Sequence, residues 1–143
     1  MKVHQVSQSI INVCIAILHH PVTNDIFMAS RPADKVMAGY WEFPGGKIEK
    51  HENSFEALRR ELKEELDIDV NIADMSLIGN IEHSYPHGLA KLALIDVSLW
   101  SGELVANEGQ KLHWQNLDSN IGVEPLLPTT QEILELLRQQ RSF

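Results

Sequence analysis

An α/β architecture, with a mixed β-sheet layered between helices, is what this sequence predicts, and three observations carry it. Ser9 to Leu18 is rich in Ile and Val, as in a strand covered on both faces. Wound at about 100° per residue, Phe55 to Leu66 places Phe55, Leu58, Leu62 and Leu66 on one narrow apolar stripe, so it reads as an amphipathic helix. Thr129 to Gln139 has the same character, with Ile133, Leu134 and Leu137. With further strand patterns between the two helices, the sum is a mixed sheet with a helix on each side.

The elements follow in chain order. Pro21 to Asp25 supplies a turn, and Ile26 to Ser30 is expected to return beside the first strand as its hairpin partner. Pro32 to Tyr40 is an irregular loop. Trp41-Glu42-Phe43 is a short extended piece, stopped by Pro44 and a tight turn at Gly45-Gly46. Lys47 to His51 leads into the helix, where Asn53 is suited to the N-cap and Glu56 to the reciprocal position of a capping box. The helix ends near Leu66, and Asp67 is expected to take the left-handed conformation there. Ser76 to Ser84 and Lys91 to Trp100 are further strands, joined by a turn at Tyr85-Pro86-His87-Gly88. Leu112 to Gln115 could form a short strand, and Thr129 or Thr130 would cap the last helix. No repeat or linker-like stretch interrupts the chain, so residues 1–143 read as a single domain.

Composition narrows the function. The 143 residues are enough to bury a real core, and 43% hydrophobic with 22% charged residues is ordinary for a soluble globular chain. A formal net charge of −8 argues against nucleic acid polymers or an anionic membrane as partners, because a phosphate surface needs a basic patch. A phosphate-bearing small molecule is not excluded, since a divalent cation can bridge two anions. Cys14 is the only cysteine, so there is no intrachain disulfide, and a reducing compartment such as the cytoplasm fits. No apolar run approaches the length of a membrane span. The start, Met1-Lys2-Val3-His4-Gln5, lacks a signal-peptide pattern.

The helix at Phe55–Leu66 carries the chemistry. Beside its apolar stripe, Glu61, Glu64 and Glu65 fall together over roughly 100° of arc, while Arg59 and Lys63 lie around the other side. Glu61 and Glu65 are a like-charge i,i+4 pair, which costs a few tenths of a kcal/mol in a bare helix. A cation explains the cluster better than a solvated surface does. Oxygen-only ligands point to a hard ion, Mg²⁺ or Mn²⁺.

Gly46, Glu52, Arg60-Glu61-Leu62 and Glu64-Glu65, at these spacings, resemble the signature of the Nudix hydrolases, G-x5-E-x7-R-E-U-x-E-E-x-G-U with U aliphatic. Every fixed position matches except the last Gly, which is Asp67 here. The resemblance implies the Nudix fold, an α/β/α sandwich, and hydrolysis of a nucleoside diphosphate linked to another group. Glu64 and Glu65 would be the firmest metal ligands. Glu61 would be a ligand or the base that activates water, and Gly45 would lend a backbone carbonyl. Glu52 and Arg60 would support them, with Arg60 reaching Glu64 one turn on.

The resemblance extends over nearly the whole chain and looks closest to the MutT-type nucleoside triphosphate pyrophosphohydrolases, which clear oxidised guanine nucleotides and so avoid mutation. Arg31 stands where those proteins carry a phosphate-binding Arg, Lys47 could meet a phosphate, and Glu108 matches a distal acid that joins the metal site or acts as base. Phe43, Tyr85, His87 and Met37 are candidate pocket walls. Thr130 is the nearest counterpart of an Asn or Asp that reads the purine edge, and its single hydroxyl is a poorer reader than an amide. Gly88 stands where an Arg can approach the base. The expected reaction is Mg²⁺-dependent conversion of a nucleoside triphosphate, 8-oxo-dGTP foremost, to monophosphate and pyrophosphate, by a monomer or homodimer. The alternatives are the same chemistry on CTP or a modified pyrimidine nucleotide, hydrolysis of an ADP-sugar or dinucleoside polyphosphate, and a catalytically dead nucleotide-binding regulator.

Overall fold

The computed structural model describes residues 9–86 and 88–141. Among these the elements are β1 (Ser9–Leu18), β2 (Ile26–Ser30), β3 (Trp41–Glu42), β4 (Gly45–Lys47), α1 (Ser54–Leu66), a 3₁₀ turn (Ile72–Asp74), β5 (Met75–Tyr85), β6 (Gly88–Val97), β7 (Leu112–Gln115) and α2 (Pro128–Arg141). The strands divide into two sheets. A four-stranded mixed sheet runs β4-β1-β6-β5, and a three-stranded antiparallel sheet runs β3-β2-β7.

β1 is central because both its faces are covered. Cys14, Ala16 and Leu18 enter one core with Ala57, Leu58, Leu62 and Leu66 of α1. Ile15 and Ile17 enter a second core with Ile133, Leu134 and Leu137 of α2. The helices therefore lie on opposite faces, as the periodicity predicts. Burying each leucine of α1 is worth about 1.5–3 kcal/mol. That outweighs the few tenths of a kcal/mol lost to like charges along its acidic side.

The expected β1–β2 hairpin does not form. β1 pairs parallel with β6, from Ser9 opposite Gly88 to Leu18 opposite Val97, and antiparallel with β4. Among the described residues, the backbone pairing between the end of β1 and β2 is a single bridge, His19 to Ile26. The turn between them closes on itself: His20 Nδ1 accepts from the N–H groups of Val22 and Thr23, and Asn24 is left-handed at φ 64°. β2 is buried at all of its positions and finds its cover between β3 and β7.

Gly45-Gly46 is also not a tight turn. It is the edge strand β4, with Gly46 opposite Cys14 and Gly45 opposite Ile15. Gly45 sits at φ 154°, and a β-carbon there would strike the Cys14 carbonyl, so close strand approach is what requires the glycine. β6 starts at Gly88 and stops at Val97, earlier at both ends than expected. His87 lies outside the described residues.

The ends of α1 match their sequence signals. Asn53 accepts from the Glu56 N–H, the Glu56 side chain accepts from the Asn53 N–H, and Asp67 is left-handed at φ 58°. α2 begins earlier than expected, at Pro128, whose missing N–H costs nothing in a first turn. Thr129 and Thr130 thus lie inside the first turn and are not its cap. Among the described residues no helix is long and apolar enough to cross a membrane.

Candidate active site

The leucine stripe fixes the rotation of α1, and that rotation turns Glu61 and Glu65 toward β4. A β-carbon on Gly46 would land on the Glu61 carboxylate, so the glycine is the space that carboxylate occupies. Glu64, between them in sequence, points away: its side chain is 59% exposed.

Arg60 organises the acids. Its Nε and Nη2 grip Glu52 Oε2 and Oε1, both at 2.8 Å, in a forked pair. Nη2 also donates to the Lys47 carbonyl at 3.1 Å, and Nη1 donates to Glu61 Oε1 at 2.9 Å. The bond to Glu64 expected from the i,i+4 spacing is the longest of the set, at 3.4 Å. Arg60 thus ties the helix to β4 and to the loop before α1, and holds Glu61 more firmly than Glu64. Its hydrogen bonds, aided by the Glu49 N–H, pull the Glu52 carboxyl down to about 2.

A cleft of about 480 Å³ opens between α1, β1, β4 and the loop after β2. Glu42, Glu61, Glu65 and Glu108 line it, together with Arg31, Lys35, Lys47, Gly45, Gly46, Phe43, Val13 and Ile15. Burial pushes the Glu65 carboxyl up to about 9, and the charges of Glu61, Glu108 and Glu42 add to the shift. The N–H of Gly45 works the other way. Burial likewise raises Glu61 against the pull of Arg60, and raises Glu42 against the pull of Arg31. A roomier groove, about 600 Å³, runs along Arg59, Lys63, Asp69 and Asn71 on the other flank of α1. It contains none of Glu61, Glu65 or Glu108, so the chemistry is assigned to the smaller cleft.

Most of the expected residues meet there: Arg31, Phe43, Gly45, Lys47, Glu61, Glu65 and Glu108. Arg31 is held by Glu42, which accepts from Nη1 at 2.9 Å, and by the Val36 carbonyl, which accepts from Nε at 2.7 Å. Of the expected substrate contacts, three stand apart. Thr130 is 1% exposed, and its hydroxyl donates to the Trp41 carbonyl at 2.8 Å, so it does not face a base in the cleft. Tyr85 ends β5 and packs over Gly88, which pairs with Ser9. That is four residues along β1 from Val13, or about 13 Å at strand rise. Met37 is 41% exposed on its loop and does not line the cleft. The sequence reading missed Glu42 and Lys35. The signal for Glu42 was a charged residue between two apolar aromatics in a short extended piece.

Among the described residues no three His, Cys, Asp or Glu side chains are gathered as a ready-made metal site. The donor chemistry nevertheless fits a hard divalent cation. Glu61, Glu65 and Glu108 are oxygen donors on one cleft, beside the β4 backbone. Glu65 is half-buried against the like charges of Glu61, Glu108 and Glu42, and the Gly45 N–H offsets only part of their effect. A dication is the partner such a group lacks.

The fold and this site define a class, and comparison with known proteins agrees. The model of the NUDIX domain matches residues 11–137, and the chain belongs to the Nudix family. It is 34% identical over 116 residues to the 8-oxo-dGTP diphosphatase of Escherichia coli K12, covering 81% of this chain and 88% of that one. It is 33% identical over 117 residues to the CTP pyrophosphohydrolase of the same organism, covering 82% and 84%. The solution structure of the E. coli ORF135 protein superposes with a TM-score of 0.79 at 32% identity, covering 94% of this chain and 93% of that one.

Proposed function

We propose that the cleft binds a nucleoside triphosphate together with Mg²⁺, for which Mn²⁺ substitutes, and hydrolyses it to a nucleoside monophosphate and pyrophosphate. The preferred substrate is 8-oxo-dGTP, so that the protein cleanses the nucleotide pool and protects DNA from mutation. The observation that carries this reading is that the carboxyls of Glu61, Glu65 and Glu108 and the cations Arg31, Lys35 and Lys47 line one cleft. A triphosphate–cation complex has both signs of charge and would satisfy both sides.

Glu61, Glu65, Glu108 and the Gly45 carbonyl would hold the cation. Glu64, at the solvent edge, would join by turning from Arg60. Bound there, the ion would polarise a phosphoryl oxygen and lower the pKa of a water. Arg31, Lys35 and Lys47 would take the charge of the phosphate chain, since such a reaction needs positioning and neutralisation more than covalent chemistry. Water adds to phosphorus, the bridge between the α- and β-phosphates breaks, and a carboxylate of the cluster accepts the proton of the water.

A second reading, the same chemistry on CTP or a modified pyrimidine nucleotide, is supported by the relative of that activity and by the placement of Thr130. With its hydroxyl spent on Trp41, Thr130 supplies no purine reader. Steady-state hydrolysis of canonical and oxidised nucleoside triphosphates with Mg²⁺ and with Mn²⁺ decides the matter, with pyrophosphate and orthophosphate assayed separately. Pyrophosphate release with the highest kcat/KM on 8-oxo-dGTP is expected. The highest kcat/KM on CTP or 5-methyl-dCTP would move the assignment to the second reading. Orthophosphate as first product, or no turnover, would overturn both.

A further inference from the structure

We propose that Gln110 is a positioning residue that locks Glu108 onto the C-terminal turn of α1 and so sets its separation from Glu65. The inference rests on the reading of Glu108 as part of the cation site. A helix ends with four carbonyls that lack partners within it. In α1 all four are answered. The Asp67 N–H donates to the Lys63 carbonyl at 3.1 Å. The other three are answered by the segment that carries Glu108. Asn107 Nδ2 donates to the Glu64 carbonyl at 3.0 Å, the Asn107 N–H to the Glu65 carbonyl at 3.2 Å, and the Val105 N–H to the Leu66 carbonyl at 3.0 Å.

Gln110 adds the decisive link. It is 8% exposed, and its amide bridges the two acids through their backbones: Nε2 donates to the Glu65 carbonyl at 3.4 Å, and Oε1 accepts from the Glu108 N–H at 3.0 Å. A primary amide offers both a donor and an acceptor for this bridge. The charge of Glu108 opposes ionisation of Glu65, and a cation between the two acids needs their separation fixed, which a free loop would not do. Gly109, left-handed at φ 72°, folds the chain back so that Gln110 can reach under Glu108. The fold therefore uses the unfilled end of the helix as the anchor for its distal acid.

The test combines kinetics with amide hydrogen exchange in metal-free protein. Gln110→Met conserves volume and removes both hydrogen bonds. It should lower kcat by about 10- to 100-fold, the usual effect of losing a group that orients a ligand to a metal, with KM changed by less than about threefold. In the metal-free protein, exchange of the Glu108 N–H should rise at least about tenfold while amides at the centre of β1 are unchanged. Glu108→Gln alone should lower kcat. In the double variant Gln110→Met should add less than about twofold to that loss, since it acts only through Glu108.

Full turnover in Glu108→Gln would sink the assignment of Glu108, and the role of Gln110 with it. A reduced Glu108→Gln beside losses that multiply in the double variant, full activity in Gln110→Met, or unaltered exchange at Glu108 would overturn the role of Gln110 alone. If Gln110→Met does not fold, wild-type exchange carries the test. The Glu108 N–H should open with the same free energy as the last turn of α1, and exchange as fast as an exposed loop would overturn the proposal.

Discussion

Glu65 is a half-buried carboxyl among like charges, and its pKa, pushed up to about 9, has a consequence for stability. An acid whose folded pKa lies above its ordinary 4.5 binds more protons in the native state. Its contribution is complete below about pH 4.5 and is lost as pH rises toward 9, the reverse of the usual carboxylate. Glu65→Gln keeps the shape without the charge. In EDTA it should melt no lower than wild type at pH 6 and higher at pH 8, while losing about 100-fold or more in kcat. A lower melting temperature at pH 8, or near-normal turnover, would contradict this account. The two glycines of β4 should separate cleanly. Gly46→Ala meets the movable end of Glu61 and should fold well but lose activity, by about 10-fold or more if a misplaced carboxylate behaves like other small misplacements. Gly45→Ala meets the Cys14 backbone, which cannot step aside, and should cost about 3 kcal/mol or more in denaturant unfolding. Equal stability of the two variants would refute the distinction.

At the scale of elements, the ends of α1 were legible, while the start of α2 and the strand partners were not. Asn53 and Asp67 signal their roles through residues within a turn of them. Asp67→Gly should relieve left-handed strain of about 1 kcal/mol, set against the loss of the exposed Lys63–Asp67 pair at 3.2 Å. A drop in melting temperature would show that the ion pair outweighs the strain. The β1–β2 hairpin failed as an expectation because pairing is decided by which residues cover both faces of β1. Those residues come from two helices far along the chain, and the strands that pair at its edges, β6 and β4, are distant as well. The end of the β1–β6 pairing carries a pH-dependent link, His19 Nε2 to Asp96 Oδ1 at 2.5 Å. The Asp96 hydrogen bond, working against burial, raises the His19 pKa above its usual 6.5. The stabilisation is therefore full below about pH 6.5 and is lost as pH rises through the higher folded value. Asp96→Asn should cost about 1–2 kcal/mol at pH 6 and markedly less at pH 9. A cost independent of pH would mean that His19 stays neutral.

At the scale of the whole molecule, the helix periodicity located the acids, but packing selected among them. Winding at 100° per residue places Glu61, Glu64 and Glu65 together. Only contact with β4, through the space at Gly46, distinguishes the two that face the cleft. Lys35 joins the site through the loop before β3, which no local pattern announces, and Glu42 joins it from β3, where its charge between two aromatics was the one local sign. Thr130 shows the opposite error, a residue aligned by sequence with a base reader but spent on docking α2 to β3. Thr130→Val should cost about 1–2 kcal/mol in stability, with the ratio of kcat/KM for 8-oxo-dGTP over dGTP unchanged. A tenfold change in that ratio at unchanged stability would return Thr130 to the base. The parallel pairing of β1 with β6 also sets an order of events during synthesis. α1, with most of its acids, leaves the ribosome before the strand that completes the sheet beneath it. Until Val97 has joined Leu18, that helix has only part of a surface to settle on. A ribosome stalled short of β6 would thus display the whole signature from Gly46 to Glu65 on a nascent chain whose sheet is incomplete, and folding is set to be late and slow, as for other chains that wait on distant contacts.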